Sequence, residues 1–314
     1  MFQIISSAEL AALQDGVGIE GSLGVVYQLR ETGDMYVWNP ASQSMEGPFG
    51  SAVSSLVSGD GSTILPSPEY LAHFYAPLAI DSDTKARDIS GALGDGTFQA
   101  NLAASAAWAT AGFLTQANPA TISHLTMVEF PAISWDWAAG DALFIFWAGR
   151  MTPEGSDTVF LGDTTGASAG NGIRLLASST GKLKANAYQQ SGTLSRFGGT
   201  GTSTIAEASV THSLAVCFHP DGLAYWSDGA RDATYASGYL MPSGGVVSTI
   251  NTATLKLGGD GGTSGSIQNG PAMQTRALVV LKGRRSAPPA IADLDALVAA
   301  LHRNPAALVS AASW

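Results

Sequence analysis

The residues Thr211–Tyr235, THSLAVCFHPDGLAYWSDGARDATY, contain the pattern that decides the fold. An apolar, β-prone run from Ser213 to Phe218 is followed by the turn sequence His219-Pro220-Asp221-Gly222. A second β-prone run, Leu223 to Trp226, ends at Ser227-Asp228-Gly229, where the chain turns again. Two short β-prone runs joined through Pro-Asp-Gly predict a β-hairpin.

Further β-prone segments lie on both sides of this hairpin. Gly-rich turns separate them at intervals too short for intervening helices, which favours an antiparallel sandwich over an α/β sheet. Ala142–Ala148 (ALFIFWA) is apolar on both faces and predicts a central strand that is covered on both sides. Thr254–Gly258 (TLKLG) alternates and predicts a strand with one face in water.

The C-terminal part predicts one helix. Ser286 can cap it, Pro288 and Pro289 suit its first turn, and Asn304-Pro305 ends it. Its apolar stripe consists of Ile291, Leu294, Leu297, Val298 and Leu301.

Three segments together resemble a known family. The hairpin with its "PDG" and "DG" turns resembles the central hairpin of laminin-G-like, concanavalin A-like jelly rolls. Asp88-Ile89-Ser90-Gly91, followed by Gly94-Asp95-Gly96-Thr97-Phe98, resembles their "D-x-SG-x-x-x-DGT" opening. A last strand, the basic turn Lys282–Arg285 and the helix resemble their ending in phage and bacterial surface proteins. The resemblance implies a mainly β, antiparallel jelly-roll sandwich with a short C-terminal helix.

The chain divides into three parts. In residues 1–68, the segments GVVYQL (24–29) and MYVW (35–38) predict a hairpin, and Pro66 and Pro68 mark a boundary. We therefore expect a small β-rich anchoring module at 1–68, a laminin-G-like jelly roll at 69–305 and a tail at 306–314. A module of this size needs to pack against something else to be stable.

Composition limits the possible partners. The 314 residues carry a net charge of -10 and only 13% are charged, which argues against nucleic acid or an anionic membrane as the main partner. The single cysteine, Cys217, precludes an intrachain disulfide and is expected to be a small buried hydrophobe. The N-terminus has no signal-peptide pattern, and the longest apolar run is strand-sized. These features predict folding in a cytoplasm.

Catalytic motifs are weak in this sequence. The glucanases of this fold carry a Glu-x-Asp-x-(x)-Glu strand, which has no counterpart here, and Glu129 is the only glutamate between Glu69 and Glu154. Gly166–Gly170 (GASAG) matches a nucleophile elbow but lies between predicted strands instead of before a helix. We therefore expect a protein that is not an enzyme, with a divergent glycoside hydrolase as the enzymatic alternative.

Candidate binding residues lie in and after the hairpin. Trp226, Tyr235 and Tyr239 could contact a glycan, because aromatic rings suit the C–H faces of sugars and rim loops often bind ligands. The resemblance implies that Asp228 or Asp260 could bind calcium, although loop aspartates mostly form turns. No other cofactor is expected.

The resemblance also implies a biological setting. In phage proteins built from an anchor and a laminin-G-like domain, the sandwich faces outwards. We expect a virion structural protein, made in the host cytoplasm and acting as a head fibre, capsid decoration or tail fibre. It would be a homotrimer that contacts other virion proteins through residues 1–68 and binds a host-surface glycan. A free carbohydrate-binding lectin is the alternative.

Overall fold

A computed structural model shows two facing antiparallel sheets, a small separate sheet and one C-terminal helix. It describes residues 2–5, 26–29, 35–39, 44–46, 69–76, 85–98, 114–116, 128–135, 141–152, 155–163, 172–191, 193–219, 222–236, 254–259, 271–283 and 290–305. The predicted fold class, a mainly β antiparallel sandwich with a short C-terminal helix, is confirmed.

The strands follow one another in chain order. They are β1 (Phe2–Ile5), β2 (Val26–Leu29), β3 (Met35–Asn39), β4 (Ser44–Glu46), β5 (Glu69–Tyr75), β6 (Lys85–Ala86), β7 (Gly96–Phe98), β8 (Leu114–Gln116), β9 (Val128–Ala132), β10 (Ala142–Met151), β11 (Thr158–Gly162), β12 (Gly172–Ala177), β13 (Lys182–Ser191), β14 (Thr193–Thr204), β15 (His212–His219), β16 (Gly222–Ser227), β17 (Ala230–Ala236), β18 (Thr254–Leu257) and β19 (Met273–Gly283).

The strands form three sheets. The small sheet has the order β1-β2-β3-β4, with β1 parallel to β2 and the other pairs antiparallel. The first large sheet has the order β17-β16-β15-β10-β19-β5, and β8 also pairs with β19. The second has the order β14-β13-β12-β11-β18-β9-β7-β6. That residues 1–68 serve as an anchor remains a prediction.

The decisive hairpin forms as predicted. β15 pairs with β16, and β16 pairs with β17 through a two-residue turn at Asp228 and Gly229. Asp228 has φ 50° and Gly229 has φ 83°, so both turn residues are in the left-handed region that two-residue hairpin turns of type I′ require. Cys217 is fully buried in β15, and burial raises the pKa of its thiol.

The main core lies between the two large sheets. Leu143, Ile145 and Trp147 on β10 point into it, together with residues of the second sheet such as Leu175 and Leu255. Tyr225 of β16 reaches across this core. Its hydroxyl donates to the Gly199 carbonyl oxygen at 2.6 Å and accepts from the Ala185 amide at 3.3 Å. This contact fixes the spacing of the two sheets.

The helix α1 (Leu294–Arg303) covers the outer face of the first large sheet. Its buried stripe, Leu294, Leu297, Val298 and Leu301, was predicted, and the helix ends before Asn304 as expected. It begins later than predicted, because a 3-10 turn at Ile291–Asp293 precedes it and Ala290 occupies the cap position. In the part of the chain that the structure describes, no helix has the length and apolarity to cross a membrane.

Two sets of polar contacts join elements that are distant in sequence. The Nε2 atom of His73 lies 2.9 Å from the carbonyl oxygen of Pro305, so this nitrogen carries the proton. The carboxylate of Asp232 on β17 accepts from the amides and hydroxyls of Thr202 and Ser203 on β14. Burial acts to raise the pKa of Asp232, but these hydrogen bonds outweigh it and hold the pKa below its usual value.

His73 predicts a loss of stability in mild acid. Burial lowers its pKa from 6.5 to about 4, so the unfolded chain binds a proton more readily between these values. As the pH falls from 6.5 to 4, we expect the free energy of unfolding to decrease by about 3 kcal/mol through this residue. Denaturant unfolding of wild type and His73→Gln across this range measures the effect. The variant should lose most of this pH dependence, and an equal dependence in both proteins would contradict the assignment.

Candidate functional site

A β-bulge shapes one rim of the first large sheet. On β10 and β19, Ala148 pairs with Ala277 but Gly149 pairs with Thr275, so Arg276 is the extra residue. The indole nitrogen of Trp147 donates to the hydroxyl of Thr275 at 3.0 Å and holds this point of the strand. The bulge thereby changes which residues of β19 face outwards beyond it.

Beyond the bulge, polar residues meet at an open cavity. Arg150 pairs with Gln274 across the two strands, and the next pair is Met151 with Met273. Arg150 and Gln274 are half-buried, whereas both methionines are buried. The cavity has a volume of about 350 Å³, and its lining includes Arg150, Met151, Thr152, Ala208, Met273 and Gln274. The cavity is therefore bordered by a guanidinium and an amide.

The turn that contains Asp228 is connected to this cavity through Thr211 and His212. The Nε atom of Arg150 donates to the Thr211 hydroxyl at 2.9 Å, which orients the guanidinium. The neighbouring His212 contacts Asp228, with 2.8 Å between Nδ1 and Oδ2. We call the cavity and these three residues, Thr211, His212 and Asp228, the hairpin rim.

Asp228 binds the backbone of the neighbouring strand β15 at Ser213. Its Oδ1 atom accepts from the Ser213 amide at 3.0 Å, and its amide donates to the Ser213 carbonyl oxygen at 2.8 Å. Among the described residues, no group of three or more His, Cys, Asp or Glu side chains is placed to hold a metal ion. Calcium binding by Asp228 remains a prediction, and Asp260 lies outside the described residues.

The structure corrects the expected role of Trp226. Its side chain is fully buried between the first large sheet and α1, and its ring packs edge-on against Phe144. The indole nitrogen donates to Asp295 of the helix at 2.7 Å, and Arg231 lies over the ring and pairs with the same carboxylate. A ring enclosed in this way holds the helix in place and cannot stack on a sugar.

The two tyrosines predicted to contact a glycan remain untested. Tyr235 lies in β17, opposite Leu223, and its side chain is outside the described part of the structure. Tyr239 lies outside the described residues altogether. Their role remains a prediction.

Sequence reasoning missed Arg150 and Gln274. They are far apart in the chain and become neighbours only through the pairing of β10 and β19. One signal was present: Gly149 ends an otherwise bulky apolar run, and a glycine inside a strand often marks a bulge or a close backbone approach.

Comparison with known proteins gives structural similarities only. No family model and no curated protein matches the sequence. The carbohydrate-binding module CBM40 of Ruminococcus gnavus IT-sialidase, bound to α2,3 sialyllactose, has 14% identity and a TM-score of 0.39, covering 59% of this chain and 98% of its own. Domains LG4-5 of the mouse laminin α1 chain have 16% identity and a TM-score of 0.40, covering 59% and 46%.

An enzyme is also among the similar structures. Trypanosoma rangeli sialidase in complex with sialic acid has 10% identity and a TM-score of 0.48, covering 80% of this chain. This chain spans only 36% of that sialidase. The strand pairing described above, and not these similarities, carries the assignment of the sandwich fold.

Proposed function

We propose that this protein is a non-enzymatic virion structural protein of a phage, a head fibre, capsid decoration or tail fibre, that binds a host-surface glycan at the hairpin rim. The observation that supports glycan binding is the open cavity of about 350 Å³ beside Arg150 and Gln274. Its volume lies within the range of small-molecule sites, which begins at roughly 300 Å³.

The chemistry of the cavity suits a sugar. The guanidinium of Arg150 and the amide of Gln274 can both hydrogen-bond to hydroxyl groups. The ligands named for the similar structures do not enter this argument.

A binding experiment with a matched variant tests the glycan proposal. Wild type should bind at least one glycan on an array, and Arg150→Ala should weaken that binding about tenfold because charged hydrogen bonds to the ligand are lost. Arg276→Ala is the control, since Arg276 lies over Tyr75 and does not line the cavity. Repeating the array measurement with a calcium chelator tests whether glycan binding depends on calcium. Equal loss of glycan binding in Arg150→Ala and Arg276→Ala would contradict the assignment of the site to the hairpin rim. So would the absence of binding to any glycan on the array.

The virion part of the proposal needs a separate experiment. It is supported by the small N-terminal sheet, whose four short strands are too few for a large core. Deleting residues 1–68 should leave a folded protein that no longer incorporates into particles. Light scattering should give a trimer for the full chain. Incorporation of the shortened protein at wild-type levels would disprove the anchor.

A further inference from the structure

Two imidazole rings hold the C-terminal end of α1 against the first large sheet. The Nδ1 atom of His302 lies 2.8 Å from the hydroxyl of Ser213 on β15. The carbonyl oxygen of Pro305, which follows the helix, accepts a hydrogen bond from Nε2 of His73 at 2.9 Å. His73 lies on β5, 232 residues earlier in the chain. The end of the helix is therefore bound to two different strands of the same sheet.

The two histidines have different surroundings. His302 is exposed, so water can solvate its charged form. His73 is fully buried, and burial lowers its pKa to about 4, although the hydrogen bond to Pro305 and the charge of Asp88 act to raise it. A proton therefore binds to His73 more readily when its ring is in contact with water than when the helix end covers it.

The described charges around His73 do not replace the hydration that it loses. The charge that acts on His73 is that of Asp88, which also accepts a hydrogen bond from the amide of His73 at 3.1 Å. Other charged groups on the surrounding elements have partners elsewhere or lie in water; they are Lys85, Arg87, Asp95, Arg276, Lys282 and Arg303. Asp88 alone thus offsets part of the cost of a buried imidazolium.

The helix can leave without opening the main core. The core between the two large sheets contains no residue of α1. The helix packs instead on the outer face of the first large sheet, where Val298 and Leu301 belong to a separate apolar cluster. Cys217 of β15 belongs to the same cluster. Separation of the helix end would therefore disturb the smaller cluster and leave the pairing of the strands in place.

We propose that the C-terminal end of α1 is an acid-sensitive latch, in which protonation of His73 releases Pro305 and the end of the helix while the sandwich stays folded. As the pH falls from 6.5 to 4, the closed form loses stability because the released form binds the proton more readily. His302 does not drive the release, since a positive charge at the C-terminus of a helix is favourable. The proposal does not depend on glycan binding at the hairpin rim.

Amide hydrogen exchange of the full chain at pH 7.0 and pH 4.5 tests the latch. After correction for intrinsic exchange rates, the opening constant of residues 297–303 should rise about fiftyfold in wild type. At pH 4.5 it should exceed that of β10 at least about tenfold, because release does not require global unfolding. Equal opening constants in α1 and β10, or an opening constant of α1 that does not change with pH, would overturn the proposal.

Two variants assign the effect to one histidine. His73→Gln keeps an N–H group for the carbonyl of Pro305 and cannot be protonated, so its helix opening constant should change less than about threefold between the two pH values. His302→Gln replaces the other histidine at the same helix end and should keep the full pH dependence. If His73→Gln does not fold, His302→Gln decides, and loss of the pH dependence in that variant would overturn the assignment.

The single cysteine gives a second readout. Cys217 is fully buried in the cluster that α1 covers, and dithiodipyridine labels thiols in acid as well as at neutral pH. The ratio of the labelling rates of wild type and His73→Gln should rise about fiftyfold between pH 7.0 and pH 4.5, because the intrinsic reactivity of the thiol cancels in this ratio. A ratio that stays constant would show that acid does not uncover the face beneath the helix, and would contradict the latch.

Discussion

Replacing Asp88 by alanine should lower the free energy of unfolding by about 4 kcal/mol. The carboxylate is 4% exposed and accepts five hydrogen bonds. Oδ1 accepts from the amide of His73 at 3.1 Å and from the amide and hydroxyl of Ser90, and Oδ2 accepts from the amides of Leu93 and Gly94 at 2.9 and 3.0 Å. Alanine would leave most of these donors without an acceptor.

Asp157→Ala is the matched control for this substitution. Asp157 forms a partly exposed ion pair with Lys184, so its loss should cost less than about 1 kcal/mol. Denaturant unfolding of both variants at neutral pH measures the difference. A cost below about 1 kcal/mol for Asp88→Ala would show that the loop 89–94 does not depend on this carboxylate.

Gly149→Ala should destabilise the protein by about 3 kcal/mol and weaken glycan binding at the hairpin rim. A Cβ atom there would overlap the carbonyl oxygen of Gln274 and approach the ring of Trp147 to 2.5 Å. Since Gln274 is backbone-paired with Arg150, the strands must separate where the cavity begins. Thermal unfolding and the array glycan measure the two effects.

Gly91→Ala is the control for Gly149→Ala, because at Gly91 an added Cβ meets no neighbouring atom and only the backbone conformation is unfavourable. Gly91 has φ +69° and no atom within 4 Å of the added Cβ, so only the left-handed conformation is penalised, by roughly 1–2 kcal/mol. Its glycan binding should equal that of wild type. If Gly149→Ala were as stable as wild type, the close approach of β10 and β19 at this glycine would be contradicted.

Local patterns predicted the elements whose signals lie close together in the chain. The turn at Asp221-Gly222 located two strands, β15 and β16, and the apolar spacing of Leu294, Leu297 and Leu301 located the helix. The strand β17 after Asp228-Gly229 was not predicted, because a loop was expected there. The helix start was misplaced because its first residues form a 3-10 turn, which has the same apolar residues and a different spacing.

Features that depend on contacts between distant parts of the chain could not be predicted from local sequence patterns. β14 (TLSRFGGTGTST) contains glycines that are typical of turns, yet it pairs with β13 as an edge strand. Trp226 belongs to a strand that alternates correctly, but only the position of α1 shows that its outward face is covered. The hairpin rim depends on the register between β10 and β19, which are distant in sequence.

The family resemblance at Asp88 had a physical basis that the motif alone did not reveal. Asp88 collects donors from the loop that follows it and from His73 on β5. Asp95, the second acid of the motif, accepts from the Asp88 amide at 3.0 Å. The motif thus closes a loop onto the first large sheet and plays no part in the rim.

The most direct test of the account is an equilibrium binding measurement in which the glycan selected on the array is recovered and analysed afterwards. We predict saturable binding that Arg150→Ala weakens about tenfold and Arg276→Ala leaves unchanged, with the glycan recovered intact. Cleaved glycan would show an enzyme, and binding unaffected by Arg150→Ala would place the site elsewhere. Either result would contradict a non-catalytic binding site at the hairpin rim.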